Sequence, residues 1–134
     1  MANAFYPSAL AKFLSGGLDL TSLTIKAALV DTGTYTYSSA HDFYDDVSAG
    51  VIGTPVTLAS KTVTAGVFDA ADATFTGVSG ATVEAVVIYN DTGTPGTSDL
   101  ICYIDTGTGF PLTPDGGNVD LTFDSGANKI FKIG

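Results

Sequence analysis

The chain has 134 residues, 45% of them apolar, and sets 14 acidic residues against 5 lysines and no arginine, for a net charge of −9. That length suits one domain with one substantial core, and a mean hydropathy of +0.31 argues against disorder. The charge excludes recognition of nucleic acid or anionic membranes through a basic face, and no apolar run approaches the ~20 residues that span a bilayer.

The N-terminal stretch has no basic start and no continuous apolar block, so it does not read as a secretion signal. Tyr6 to Gly17 is the helix candidate. Pro7 suits a first turn, Leu10, Phe13 and Leu14 share a face at i, i+3 and i+4, and Gly16-Gly17 supplies a left-handed cap. A helix of two or three turns does not persist alone in water. Its apolar stripe is therefore expected to pack on the domain or on a neighbouring chain.

Leu23 to Val30 is the first predicted strand, with Leu23, Ile25, Ala27 and Leu29 on one face and Thr24, Lys26, Ala28 and Val30 on the other. Thr34 to Gly53 is a long connection carrying Tyr35, Tyr37, Phe43 and Tyr44; a loop of that length is expected to pack locally or to meet a partner. Within it, His41 to Val47 could form a short helical turn. Pro55 to Leu58 and Lys61 to Phe68 follow with alternating Thr and Val, and Ala73 to Val78 is another short strand.

The strand around which the chain is organised is Val83 to Tyr89. Its alternation places Val83, Ala85, Val87 and Tyr89 on one side and Glu84, Val86 and Ile88 on the other. Apolar on both faces except at Glu84, it is expected to be central and covered above and below. The turn-rich Asn90 to Gly96 leads back through Leu100 to Asp105 as an antiparallel partner. After a loop over 105–117, Val119 to Phe123 and Lys129 to Ile133 complete seven or eight strands. The expected fold is mainly β: an antiparallel β-sandwich or jelly-roll-like barrel over residues 1–134, with one short N-terminal helix at about 5–17.

Residues able to carry chemistry are sparse. His41 is the single histidine, leaving little material for a histidine-based triad or a multi-histidine zinc site. His41, Asp42, Asp45 and Asp46 could ligate a metal, as could Asp91, Asp99, Asp105 and Asp115 a calcium ion, but neither group has an established ligand spacing. Cys102 lies in an apolar strand and reads as a buried structural thiol. Thirteen of the 14 acids are Asp, mostly beside turn residues, where the carboxylate can bind nearby backbone amides. The expectation is no enzyme, no cofactor and no metal.

Lys12-Phe13-Leu14-Ser15-Gly16-Gly17-Leu18-Asp19-Leu20, Thr24 to Val30, His41 to Val47, Val87 to Gly93, Ile104 to Gly109 and Asn128 to Ile133 form an ordered set of landmarks. Together they resemble a family of small tailed-bacteriophage virion proteins, some of them capsid cement or decoration proteins. The resemblance implies a non-enzymatic virion structural protein made in the host cytoplasm. It implies a homo-oligomer, often a trimer, bound to the major capsid protein on the outer face of the head. A tail or baseplate component and a carbohydrate-binding β-module are the alternatives. Phe5, Tyr6, Leu10 and Phe13 of the N-terminal segment, with Tyr35, Tyr37, Phe43 and Tyr44 of the long loop, are expected to reach neighbouring chains, as aromatic surface in excess of what one small sandwich covers.

Overall fold

The computed structural model describes residues 3–106, 110–122 and 130–132. The elements, in chain order, are β1 (Ala4–Phe5), α1 (Pro7–Ser15), β2 (Ile25–Val30), β3 (Val51–Thr57), β4 (Thr62–Thr64), β5 (Val67–Asp69), β6 (Ala73–Phe75), β7 (Ala85–Asn90), β8 (Leu100–Ile104), β9 (Val119–Leu121) and β10 (Phe131–Lys132). The fold is mainly β and sandwich-like with one short helix, as the sequence predicts. Two strands exceed the expectation. One is the short β1; the other arises because the predicted strand Lys61 to Phe68 is two strands, β4 and β5, joined at Ala65-Gly66. Both turn residues have positive φ (52° and 80°), the geometry of a two-residue hairpin. An alanine in the first turn position carries no sequence signal for that conformation.

A five-stranded antiparallel sheet in the order β1-β8-β7-β2-β3 forms the platform. β7 is its middle strand, and all six of its residues are buried, as expected of a strand covered on both faces. Facing it on one side are a three-stranded sheet (β10-β5-β4) and a two-stranded one (β6-β9). The core between these layers holds Ile25, Ala27 and Leu29 of β2, Val86 and Ile88 of β7, Phe68 of β5 and Phe75 of β6. The other face carries Ala28, Val30, Ala85, Val87, Tyr89, Leu100 and Tyr103, beneath Tyr35, Val47 and the partly buried Tyr37 and Tyr44 of the long loop. That loop packs locally, and it ends earlier than expected because β3 begins at Val51.

The alternation of β2 and β7 holds with one correction. Val83 lies in the first core with Val86 and Ile88 rather than with Ala85 and Val87. Its backbone pairs with Leu112 (2.7 and 2.8 Å), whereas the Glu84 amide donates to the Val30 carbonyl (3.0 Å), so the pairing partner changes between them. In β8, Ile88 faces Cys102 and Tyr89 faces Leu100, leaving Ile101 as an extra residue. This bulge turns both Ile101 and Cys102 to the first core while Leu100 and Tyr103 reach the second. The free Ile101 carbonyl accepts from the Tyr6 amide at 3.0 Å, tying the start of α1 to the sheet. The sheet edges are blunted: β1 has two residues, and β3 contains Pro55 and a positive-φ Gly53 (71°).

α1 begins with Pro7 and ends at Gly16 in the left-handed conformation (φ 81°), with the Gly17 amide returning to the Lys12 carbonyl at 2.7 Å. Its inward face is centred on fully buried Ala9, with Phe13 packed alongside. Leu14, expected in the apolar stripe, instead points away and is 91% exposed. The small Ala9 lets the helix approach closely, and that rotation carries Leu14 outward.

Candidate functional site

All six tyrosines of the chain meet on the loop-covered face. The Tyr6 and Tyr35 hydroxyls are 2.8 Å apart, and Tyr35 Oη is 2.9 Å from Nδ1 of His41. The Tyr37 hydroxyl donates to the Phe5 carbonyl at 2.8 Å. The rings pack at centroid separations of 5.0 Å for Tyr6–Tyr37 and 5.6 Å for Tyr37–Tyr103, and Tyr44 stacks on Tyr89 at 4.5 Å. Gly50 permits this closeness: a Cβ there would stand 2.7 Å from Cβ of Tyr35. Burial, which penalises the phenolate, pushes the pKa values of Tyr6, Tyr35, Tyr37, Tyr44, Tyr89 and Tyr103 above the ordinary tyrosine range.

The predicted interface residues therefore separate. Tyr6 (0% exposed) and Tyr35 (4%) are covered within the single chain and present no face to a neighbour, which corrects the expectation for those two. Phe5 and Phe13 are half-buried against the first core, while Tyr37 and Tyr44 are half-buried against the second. Leu10 and Phe43 are partly exposed, with Nζ of Lys12 lying 5.4 Å from the Phe43 ring centroid. Leu14 was missed as an exposed group, since position in a stripe does not reveal how far a helix is rotated.

The acidic side chains chiefly close turns. Asp31, Asp91 and Asp115 each accept the amide two residues on, from Gly33 (2.8 Å), Gly93 (2.9 Å) and Gly117 (2.9 Å). Asp19 accepts likewise from Thr21 at 3.1 Å. Such bonds favour the carboxylate: the Thr21 hydroxyl (2.8 Å) first and then its amide hold the pKa of Asp19 low, and the Gly33 amide that of Asp31. In the suspected metal cluster, Asp46 Oδ2 accepts the amides of Asp42 (3.0 Å) and Phe43 (3.4 Å), bracing a 3₁₀ turn over Tyr44–Asp46. Among the described residues, no three His, Cys, Asp or Glu side chains converge as metal ligands would. Cys102 is buried, and desolvation pushes its thiol up to about 12, so it is no thiolate nucleophile near neutrality.

One concave feature adjoins the tyrosine face. A groove of about 400 Å³ opens where β2 ends, β7 begins and β8 ends, lined by Thr32, Tyr35, Thr36, Tyr37, Glu84, Tyr103, Asp105, Phe110 and Pro111. Glu84 was visible in the sequence as the one polar break in the central strand; Tyr103 was hidden in an apolar run. No known family model and no characterised protein matches this chain.

Proposed function

We propose that this chain is a non-enzymatic virion structural protein of a tailed bacteriophage, acting as a capsid cement or decoration protein. In this reading it binds the major capsid protein lattice on the outer surface of the head as a homotrimer. The observation that carries the structural role is how its reactive groups are used. The carboxylates of Asp19, Asp31, Asp91 and Asp115 close their own turns, Cys102 is a sheet residue, and the tyrosine hydroxyls of Tyr6, Tyr35 and Tyr37 bind inside the fold. The phage assignment rests on the resemblance of the ordered sequence landmarks. An acidic exterior agrees with a location outside the shell, where it does not compete for the packaged genome.

Leu14, exposed one turn beyond the partly exposed Leu10, is the residue of α1 best placed to meet a neighbour. Particle-bound protein located by cryo-electron microscopy tests the reading directly. Density on the head exterior at the local threefold positions of the lattice is the expected result, with shells lacking the protein breaking at lower temperature. Density in a tail tube or baseplate would replace the head assignment. A purified monomer that binds no shell would end the proposal.

A further inference from the structure

Tyr35 and His41 are seated by the backbone on either side of a bend in the long loop. The Tyr35 amide donates to the Asp31 carbonyl at 3.0 Å, and the His41 amide to the Ser38 carbonyl at 3.1 Å. Next along the chain, the Asp42 carbonyl accepts the Leu100 amide at 2.9 Å and ties this end of the loop to β8. The side chains are thereby held with Tyr35 Oη 2.9 Å from Nδ1 of His41 and their ring centroids 5.3 Å apart.

The direction of these bonds follows from where the protons go. Tyr6 Oη, Tyr35 Oη and His41 Nδ1 form a chain with links of 2.8 and 2.9 Å. If Tyr6 donates to Tyr35 and Tyr35 donates to Nδ1, both hydroxyl protons are used. If Nδ1–H donated to Tyr35 instead, one hydroxyl proton would be left over, on a Tyr6 that is 0% exposed or a Tyr35 that is 4% exposed. A buried donor without an acceptor is costly, so the first arrangement holds, with the imidazole neutral and its own proton on Nε2.

The Tyr35 proton thus rests on a base. His41 is the single histidine, so no other tyrosine shares this pairing with an imidazole. Tyr37 donates to the Phe5 carbonyl at 2.8 Å and Tyr6 to another phenol, neither of them a base near neutrality. The chain has no tryptophan, which leaves the tyrosines as its most readily oxidised aromatic groups.

We propose that Tyr35 and His41 form a redox site that takes up oxidising equivalents from one-electron oxidants. The oxidant takes one electron from the Tyr35 ring and is itself reduced by one. The Oη–H bond breaks as its proton passes to Nδ1 of His41. The products are a neutral phenoxyl radical and an imidazolium protonated at both nitrogens, and a one-electron donor such as ascorbate reverses both transfers. The local acceptor matters because a phenol this deeply covered has little water to receive its proton. Tyr6 keeps its bond to the radical oxygen. Burial is the first cause of the raised Tyr35 phenol and the charge of Asp46 adds to it; that same negative field favours the imidazolium. The groove lets a small oxidant approach the Tyr35 ring, which is part of its lining. This inference does not rest on the virion reading.

The test is flash photo-oxidation of the intact chain by ruthenium(III) tris-bipyridine, followed by freeze-trapping and electron paramagnetic resonance. A neutral tyrosyl radical is expected. In protein carrying isotope-labelled histidine it should show a nitrogen coupling that His41 alone can supply, a readout that needs no variant. Tyr35→Phe, which keeps the ring, should lower the radical yield several-fold, while Tyr37→Phe and Tyr103→Phe should leave the histidine coupling in place. His41→Ala should slow radical formation about tenfold or more, as loss of a positioned proton acceptor implies. Added imidazole should restore part of that rate, which a merely structural role for His41 would not produce. A radical without histidine coupling in the unaltered chain would overturn the proposal. So would a yield unchanged by Tyr35→Phe, a rate unchanged by His41→Ala, or no tyrosyl radical at all.

Discussion

On one side of the five-stranded sheet Phe68, Phe75, Ile88 and Ile101 meet further strands, while on the other Tyr6, Tyr35, Tyr89 and Tyr103 meet a loop. The same three central strands supply both faces, so the difference comes from what covers them. Strands satisfy their own backbone groups in ladders and can lie over a dry, hydroxyl-free core. A loop brings polar groups that need partners, and tyrosine supplies apolar area together with a polar tip. Phe5, Phe13, Phe68, Phe75 and Phe110 accordingly belong to the strand-covered core, and every tyrosine belongs to the loop-covered one. The first face gains its hold from volume filled, the second from area and hydroxyl bonds together.

The largest expected effect is on the dry face. Phe75→Ala removes a fully buried ring with no polar group to hydrate the gap, and should cost about 3–5 kcal/mol in denaturant unfolding. A loss under about 1 kcal/mol would mean the small sheets do not seal that core.

Alkali separates the faces next. A raised folded pKa means the native state keeps a proton that the unfolded chain releases, so stability is whole below the unfolded value and falls as pH rises past it. Cys102, on the dry face, should begin the loss near pH ~8.5, the ordinary thiol value. The tyrosine face should add its own from about pH 10, with Tyr6 and Tyr89 each contributing about 1.4 kcal/mol per pH unit. Cys102→Ala should flatten the early part of the profile and Tyr6→Phe the later part. An unchanged profile in both variants would contradict this assignment.

Within the tyrosine face, Tyr35→Phe removes the hydroxyl that joins Tyr6 to His41 and should cost about 1–2 kcal/mol. Adding Tyr6→Phe should cost less than the sum of the single changes, because the first leaves a buried hydroxyl unpaired and the second removes it. Full additivity, measured by a double-mutant cycle, would show that the hydroxyls act independently.

The central ribbon was legible because Ala85 to Asn90 and Leu100 to Ile104 are apolar enough to fix both burial and pairing. The helix limits were legible from Pro7 and Gly16, whose backbone preferences act locally. What escaped depends on contacts distant in the chain. The Ile101 bulge reverses side-chain parity within an unbroken apolar run, and the rotation that exposes Leu14 is set by Ala9 against the core. The predicted strand Lys129 to Ile133 is found in part, as β10, with the remainder outside the described residues. The groove was the least legible feature, since its lining residues come from four separated stretches, and only Glu84 stood out as a polar break.

The smallest expected effect lies outside both cores, at the Lys26–Asp91 pair, whose side chains are about a quarter exposed. Lys26 first, then the Gly93 amide, lowers the Asp91 pKa. A lowered folded value makes the sign opposite to that of the tyrosines: the contribution is present above about pH 4 and lost as pH falls through the carboxylate range. Solvent and salt screen such a pair, so Lys26→Met should cost no more than about 1 kcal/mol at neutral pH. Its cost should shrink at pH ~3, where the partner carboxylate is increasingly protonated. Asp91→Asn should cost more than Lys26→Met, because it also weakens the acceptor that closes the turn at Gly93. Melting temperatures of both variants at the two pH values check this, and equal costs would assign the turn's stability to its backbone alone.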